Sequence, residues 1–253
     1  MNITGITYVG HATVLIETNK TRILTDPLLR NRIGFLKRYR HNIIKDLYQS
    51  IDAVLLSHMH RDHFDIPSLR LLDSSTMLIA SKEAVQPLKM KGFSNLEEVN
   101  VDDCINIGDV SIKVTPACHH DRLSSLGLTT QTSVGYVIQG SHRIYFPGDT
   151  DLFDEMIDLS KNLDLALLPV WGWGPTLGPG HLNPRRAAEA LKLLRPSVAI
   201  PIHWGTFCPI GIGWLRLDYL IEPPNQFAYY ARQMVPEVKV RIIKPGEQIR
   251  LVK

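Results

Sequence analysis

The chain passes twice through the same order of elements, short β-branched runs first and helices after, and this repetition limits its fold more than any single residue does. Residues 6–9, 13–17 and 22–25 are β-branched runs separated by Gly10-His11 and Asn19-Lys20, which reads as an opening β-meander. A strand at 53–56 follows, then helices over 67–72 and 82–91 with a strand at 77–80 between them. The second pass has strands at 110–115, 133–139 and 143–146, a helix at 152–159 and a buried run at 165–168. A helix over 184–194 has Asn183 as N-cap, Pro184 at its first position and Pro196 beyond its end, and a strand at 198–202 comes next. Two such passes predict two β-sheets packed face to face with helices outside both.

Residues 30–50 interrupt this order. Arg30, Arg32, Lys37, Arg38, Arg40 and Lys45 interleave with Phe35, Leu36, Tyr39, Ile43 and Leu47. The pattern fits a solvated helix or loop packed by its apolar side, or an amphipathic flap beside a site. At 253 residues the chain is large enough for a substantial core, and a single domain over 1–253 is expected. With 44% hydrophobic and 21% charged residues the composition is ordinary globular, and a net charge of +3 is too small to mark a nucleic-acid surface. No stretch approaches the roughly 20 apolar residues of a membrane span, and the N-terminus lacks a basic segment followed by an apolar one, so a cytoplasmic protein is expected. Cys104, Cys118 and Cys208 form no C-x-x-C pair, which argues against a disulfide framework and for buried free thiols.

The most unusual chemistry follows the strand at 53–56. His58-Met59-His60-Arg61-Asp62-His63 packs three imidazoles and a carboxylate into six residues. Neutral imidazole nitrogen suits zinc, manganese and iron, and the carboxylate adds a hard anionic oxygen that helps hold a second cation. Three further candidates end apolar runs: His119-His120 after residues 114–117, Asp149 after 144–148, and His203 after 199–202. Loops at one edge of a sheet system can bring together ligands far apart in sequence. Taken singly, each has a plainer reading, a hydrogen-bonded structural histidine or, for Gly148-Asp149-Thr150, a turn or helix cap.

Together these positions resemble the metallo-β-lactamase fold superfamily, from Gly10-His11-Ala12-Thr13 near the start to His203-Trp204-Gly205-Thr206 late in the chain. The H-x-H-x-D-H motif, a downstream histidine, the G-D-T aspartate and a final strand-end histidine stand in that family's order. The resemblance implies an α/β (α+β) four-layer αββα sandwich, two packed mixed β-sheets with helices on both outer faces. It also implies two divalent metal ions, one held by His58, His60 and His119, the other by Asp62, His63 and His203, with Asp149 bridging them. His119 is taken over His120 because Pro116-Ala117-Cys118-His119 is similar to the P-A-x-H of related hydrolases. The phrases around His11, His119, Asp149 and His203 look most like the branch of N-acyl-phosphatidylethanolamine-hydrolysing phospholipase D and the ascorbate-6-phosphate lactonases. Asp151 departs from that pattern, since phospholipase-like relatives usually continue after G-D-T with Gly and an aromatic residue, and a lipid substrate is not expected.

Two divalent cations about 3.5 to 4 Å apart lower the pKa of a shared water toward 7, hold it as hydroxide and stabilise an anionic transition state at carbon or phosphorus. The expected activity is metal-dependent hydrolysis of an ester bond in a small molecule, a phosphodiester or lactone, with Zn2+ as the expected ion and Mn2+ or Fe2+ as alternatives. Asp62 and Asp149 would reduce the repulsion between the ions, and Asp149 would orient the hydroxide. His181, just before the helix at 184, is a candidate general acid or phosphate ligand, and equally a loop-fixing residue. Asp26 and His11 are candidates for supporting the ligating imidazoles, His11 equally a buried structural histidine. Trp171, Trp173, Trp204, Trp214 and Phe207 gather in the late loops and fit an aromatic substrate rim, core packing or a dimer contact. Two other classes stand beside the hydrolase, an iron-dependent oxidoreductase like the sulfur dioxygenases of this fold, and a non-catalytic metal-binding protein. His60 argues against flavodiiron proteins, which typically carry Glu there. Nucleic acid is not an expected partner, and a homo-oligomer is compatible with the aromatic segments.

Overall fold

The computed structural model describes residues 3–39, 43–119, 132–211 and 218–253. The first pass comprises β1 (Ile3–Gly10), β2 (Thr13–Thr18), β3 (Thr21–Thr25), β4 (Arg32–Ile33), β5 (Leu36–Arg38), β6 (Ala53–Leu55), α1 (Ile66–Leu69), β7 (Met77–Ser81), α2 (Lys82–Met90) and β8 (Leu96–Val99). The second comprises β9 (Cys104–Ile107), β10 (Val110–Pro116), β11 (Val134–Gln139), β12 (Arg143–Phe146), β13 (Leu165–Pro169), α3 (Pro184–Leu194), β14 (Val198–Ile202), β15 (Phe207–Pro209), α4 (Asp218–Met234), β16 (Lys239–Val240) and β17 (Gln248–Val252). Single 3-10 turns lie at Lys45–Leu47 and Asp154–Leu159.

Each pass builds one mixed sheet. β1, β2 and β3 pair antiparallel, and β6, β7 and β8 then add in parallel beside β3. β9 to β12 repeat the antiparallel start, and β13, β14 and β16 add in parallel beside β12. Parallel neighbours need long crossovers: α1, α2, α3 and α4 lie in those that follow β6, β7, β13 and β14, while the crossover from β3 to β6 carries β4 and β5 and that from β12 to β13 a 3-10 turn. β17 returns to pair antiparallel with β1, Ile3 opposite Val252 and Thr7 opposite Gln248, so the last strand closes the sheet of the first pass.

Alternation along the strands explains the layers. Val14, Ile16, Ile23, Ala53, Leu55 and Ile79 join Ile112, Val114, Tyr136, Ile138 and Phe146 in the core between the sheets. The intervening Leu15, Leu24, Val54, Leu56, Leu78 and Ala80 face away and are buried with Leu69, Ala84, Val85 and Leu88 of the outer helices. A strand covered on both faces reads as a continuous apolar run, as β6 does. On the far side Ala187, Leu191 and Leu194 of α3 and Phe227 and Ala231 of α4 are buried. Four layers result.

Asn183 caps α3 by accepting from the Arg186 N–H at 3.0 Å, and the helix ends at Arg195 in the left-handed conformation, just before Pro196. The helix expected over 67–72 is a single turn capped by Asp65, and that expected over 152–159 is a 3-10 turn. Residues 30–50 differ most from expectation. Gly34, at φ +52°, turns β4 into β5, and β5 pairs with β15, Phe207 opposite Arg38. Arg38 is buried: its guanidinium donates to the Leu28 carbonyl at 2.8 Å, lies 4.9 Å over the Phe207 ring, and has its pKa lowered by burial to about 10. Of the three free thiols only Cys208 is buried, and Cys104 stands exposed on β9, an edge strand. Among the described residues no helix is long and apolar enough to cross a membrane.

Candidate metal centre

Parallel strands of one sheet end on the same edge, and crevices outside those ends are where side chains from separate loops meet. Here the loop after β6 carries His58, His60, Asp62 and His63. Asp26 follows β3, Asp149 follows β12 and His203 follows β14. His119 comes three residues past β10, His181 precedes α3, and His11 lies in the turn between β1 and β2. The structure brings all eight sequence-derived candidates, His58, His60, Asp62, His63, His119, Asp149, His181 and His203, to this one place.

His58, His60 and His119 form one group. His58 Nε2 lies 3.0 Å from His60 Nδ1, and His119 Nε2 lies 3.2 Å from the same atom. The outer nitrogens of two of these rings are committed. The Ser57 hydroxyl donates to Asp26 Oδ2 at 2.5 Å, so its oxygen accepts the His58 Nδ1–H at 2.9 Å. His119 Nδ1–H donates to the Gly180 carbonyl at 2.7 Å. With those protons held outward, the Nε2 lone pairs of His58 and His119 point inward at one space.

Asp62, His63 and His203 form the other group, with His11 against it. His63 Nε2 and His203 Nε2 stand 3.0 Å apart, while His203 Nδ1–H donates to the Trp171 carbonyl and His63 Nδ1–H to Asp26 Oδ2, each at 2.7 Å. Asp149 stands among these nitrogens, Oδ2 3.2 Å from His63 and Oδ1 3.3 Å from His203, and it also groups with His119 and His181. Its Oδ1 is buried with no hydrogen-bond donor among the described residues. Converging ring nitrogens and a carboxylate oxygen with no donor among the described residues surround a space that a cation would fill, and this N/O donor set suits a divalent metal.

Residues 21–204 match the Beta-lactamase superfamily domain. The chain belongs to the metallo-β-lactamase superfamily. It is 30% identical to a metal-dependent hydrolase of Methanopyrus kandleri over 96% of this chain and 97% of that protein. It is also 30% identical to the N-acyl-phosphatidylethanolamine-hydrolyzing phospholipase D 1 of Caenorhabditis elegans, over 87% of this chain and 67% of that one. Among solved structures, the metallo hydrolase Igni18 of Ignicoccus hospitalis superposes with a TM-score of 0.73 at 24% identity, covering 99% of both chains. The protein is thus a metallo-β-lactamase-fold, metal-dependent hydrolase, with His and Asp clusters suited to metal ions.

The electrostatics of this metallo-β-lactamase centre favour cations. Burial pushes His203 down to about 3 and holds His58 and His119 below the ordinary histidine range, keeping those rings neutral as ligands must be. Burial works against the charges of His63, Asp62 and Asp149. Three carboxylates, Asp149, Asp62 and Asp26, nonetheless raise His63 well above its usual value, and the neighbouring imidazoles hold Asp62 and Asp149 below theirs. For Asp26, burial prevails and its pKa is raised. A buried pocket with more carboxylates than compensating cations attracts metal.

A cavity of about 390 Å³ opens on the centre, lined by His60, Arg61, Asp62, Asp149, His181 and His203 on one side and by residues 172–178, with Trp173 and Leu177, on the other. His181 is about one-fifth exposed, with Nε2 3.3 Å from Asp149 Oδ2 and Nδ1 2.9 Å from the Pro179 carbonyl. Of the expected aromatic rim, Trp173 is the only one among the described residues that lines this cavity, with the exposed Phe35 of the β4–β5 turn edge-on at 5.4 Å. Trp204 is core, buried against Tyr8, and Trp171 contributes its backbone carbonyl to His203. His120 and Trp214 lie outside the described residues. Ser57, Arg61 and the carbonyls of Trp171 and Gly180 escaped sequence reasoning. A serine, an arginine or a backbone oxygen carries no pattern that marks its partner in advance.

Proposed function

We propose that this protein is a binuclear metal-dependent hydrolase of ester bonds, with small phosphodiesters first and lactones second as its substrates. The observation that carries the reading is the buried Asp149 carboxylate, set among the inward-facing nitrogens of two histidine groups. His58, His60 and His119 would hold one ion, and Asp62, His63 and His203 the other, with Asp149 between them. Zinc suits these donors best, with manganese or iron(II) as alternatives. When bound, such a pair supplies Lewis acidity at the ester oxygen and brings a water's pKa toward 7.

The chain's own residues do the rest. Asp149 Oδ1, which has no protein donor among the described residues, accepts a hydrogen bond from the attacking water and aims it at the ester. His181 has its Nδ1 side fixed on Pro179 and offers Nε2 to the cavity, where it passes a proton to the leaving oxygen. Trp173 and Leu177 give an apolar wall. Arg61 has no carboxylate partner among the described residues, and a cation at that wall favours an anionic diester over a neutral lactone. The Caenorhabditis elegans relative is named for a phosphodiester substrate, which supports the same order.

The test is elemental analysis of protein purified without chelator, followed by turnover of bis(p-nitrophenyl) phosphate and of a γ-lactone. About two zinc or manganese ions per chain and faster diester hydrolysis are expected. A single iron per chain, with oxygen consumption in the presence of a thiol, would overturn the proposal in favour of redox chemistry.

A further inference from the structure

Nine non-glycine residues among those described have left-handed backbone, and six of them, Asn19, Lys20, Ser50, Asp102, Asn162 and Arg195, are exposed. The other three are buried: His11 at φ +58°, Asp26 at +31° and His203 at +63°. All three stand at the metal centre. Buried backbone of this kind persists only where its surroundings hold it, and it collects at functional sites.

His11 and His203 hold each other. The His203 N–H donates to the His11 carbonyl at 2.8 Å, and the two rings lie 3.8 Å apart. The His11 N–H donates to Thr206 Oγ1 at 2.7 Å, and Phe207 meets the His11 ring edge-on at 5.9 Å. The first loop of the chain is thereby clamped onto the last ligand loop. From this clamp His11 Nε2 reaches Asp62 Oδ2 at 2.8 Å, while the nitrogens of His63 and His203 stand 3.8 and 3.9 Å from that oxygen. Among the described residues no other group is within hydrogen-bond distance of the Asp62 carboxylate.

We infer that His11 is a positioning residue for one ion only: it fixes Asp62 and His203 together, so the site they share with His63 depends on it while the His58, His60 and His119 site does not. The inference rests on the two-ion reading proposed above. His11 acts through Asp62, because its Nε2 lies at hydrogen-bond distance from that carboxylate and its ring rests tilted against that of His203.

Zinc alone, titrated calorimetrically into chelator-stripped protein, tests this. Wild type takes two ions. His11→Asn keeps a residue that tolerates left-handed backbone but is too short to reach Asp62, and it should weaken one binding step about ten- to a hundredfold while leaving the other unchanged. His11→Gln restores an N–H donor of sufficient length and should recover part of the loss. In an Asp62→Asn background, His11→Asn should add less than about threefold, since both act on one contact. Unchanged steps in His11→Asn, equal weakening of both steps, or full additivity with Asp62→Asn each overturn the inference. Should His11→Asn fail to refold, His11→Gly, which also adopts left-handed backbone and offers no side-chain donor, is carried through the same cycle with the same criteria. A wild type that takes one ion overturns the two-ion reading itself, whereas two ions held equally by wild type and His11→Asn overturn this inference alone.

Discussion

Asp149 Oδ1 is buried with no donor among the described residues, and Asp149 Oδ2 is shared between His63 and His181. Asp149→Asn keeps the shape of the side chain and removes its charge, so kcat is expected to fall about a hundredfold with the far-ultraviolet circular dichroism unchanged. Near-full turnover would remove Asp149 from the mechanism. Proton donation by His181 has a different signature. His181→Gln should slow diesters with alkoxide leaving groups by about a hundredfold, yet slow p-nitrophenyl esters far less, because nitrophenolate departs without a proton. Equal loss on both substrates would make His181 a loop-fixing residue instead. At this scale the sequence was most informative: strand ends carrying His or Asp were visible as such, and His58, His60, Asp62, His63, His119, Asp149 and His203 meet in one place, while His120 lies outside the described residues. The partners that set their tautomers were not visible, since Gly180 and Trp171 act through backbone oxygens that any residue possesses.

Elements meet most closely where the loop after β12 crosses the loop after β6. A side chain at Gly148 would put its Cβ 2.3 Å from Ser57 Cβ, at a backbone φ of +64° that only glycine adopts freely. Ser57 bonds both Asp26 and His58, so crowding it disturbs the support of two histidines at once. Gly148→Ala is therefore expected to lower stability by about 2 kcal/mol or more, read as a reduced midpoint in urea, and to reduce zinc retained after dialysis. A midpoint equal to wild type would show that the loops have room. Elements with clear period and caps, such as α3, were legible because local energetics and tertiary packing agree there. The β4–β5 hairpin was not legible, because its pairing with β15 joins residues about 170 apart and its buried cation, Arg38, looks like a surface charge in sequence. α4 was obscured by Pro223 and Pro224, which remove the amides that would bond the Tyr219 and Leu220 carbonyls. Burial of Leu220, Pro223, Pro224 and Phe227 outweighs that loss.

The whole molecule is built on two seven-stranded sheets with a small three-stranded one of β15, β5 and β4, and the loops at their strand ends place the carboxylates Asp26, Asp62 and Asp149 around His63 in a buried space. Removing bound metal should leave that repulsion uncompensated. Stripping by chelator is expected to lower Tm by roughly 10 °C, since a ligand at a thousand times its Kd contributes about 4 kcal/mol and a chain of this size shifts roughly 2 to 4 °C per kcal/mol. Restoration by added zinc would confirm the linkage, and a Tm indifferent to chelator would contradict it. The sequence by itself determined the two passes of strands and helices, the layered fold and which His and Asp residues were candidate ligands, because periodicity and residue chemistry are local properties. Only the tertiary structure decided that β17 closes the first sheet, that the β4–β5 hairpin and Trp173 shape the cavity side, and that His11 clamps Asp62 to the His203 loop. Those features depend on contacts between residues from about 50 to about 250 apart, or on which face a side chain finds already occupied, and no local pattern records either.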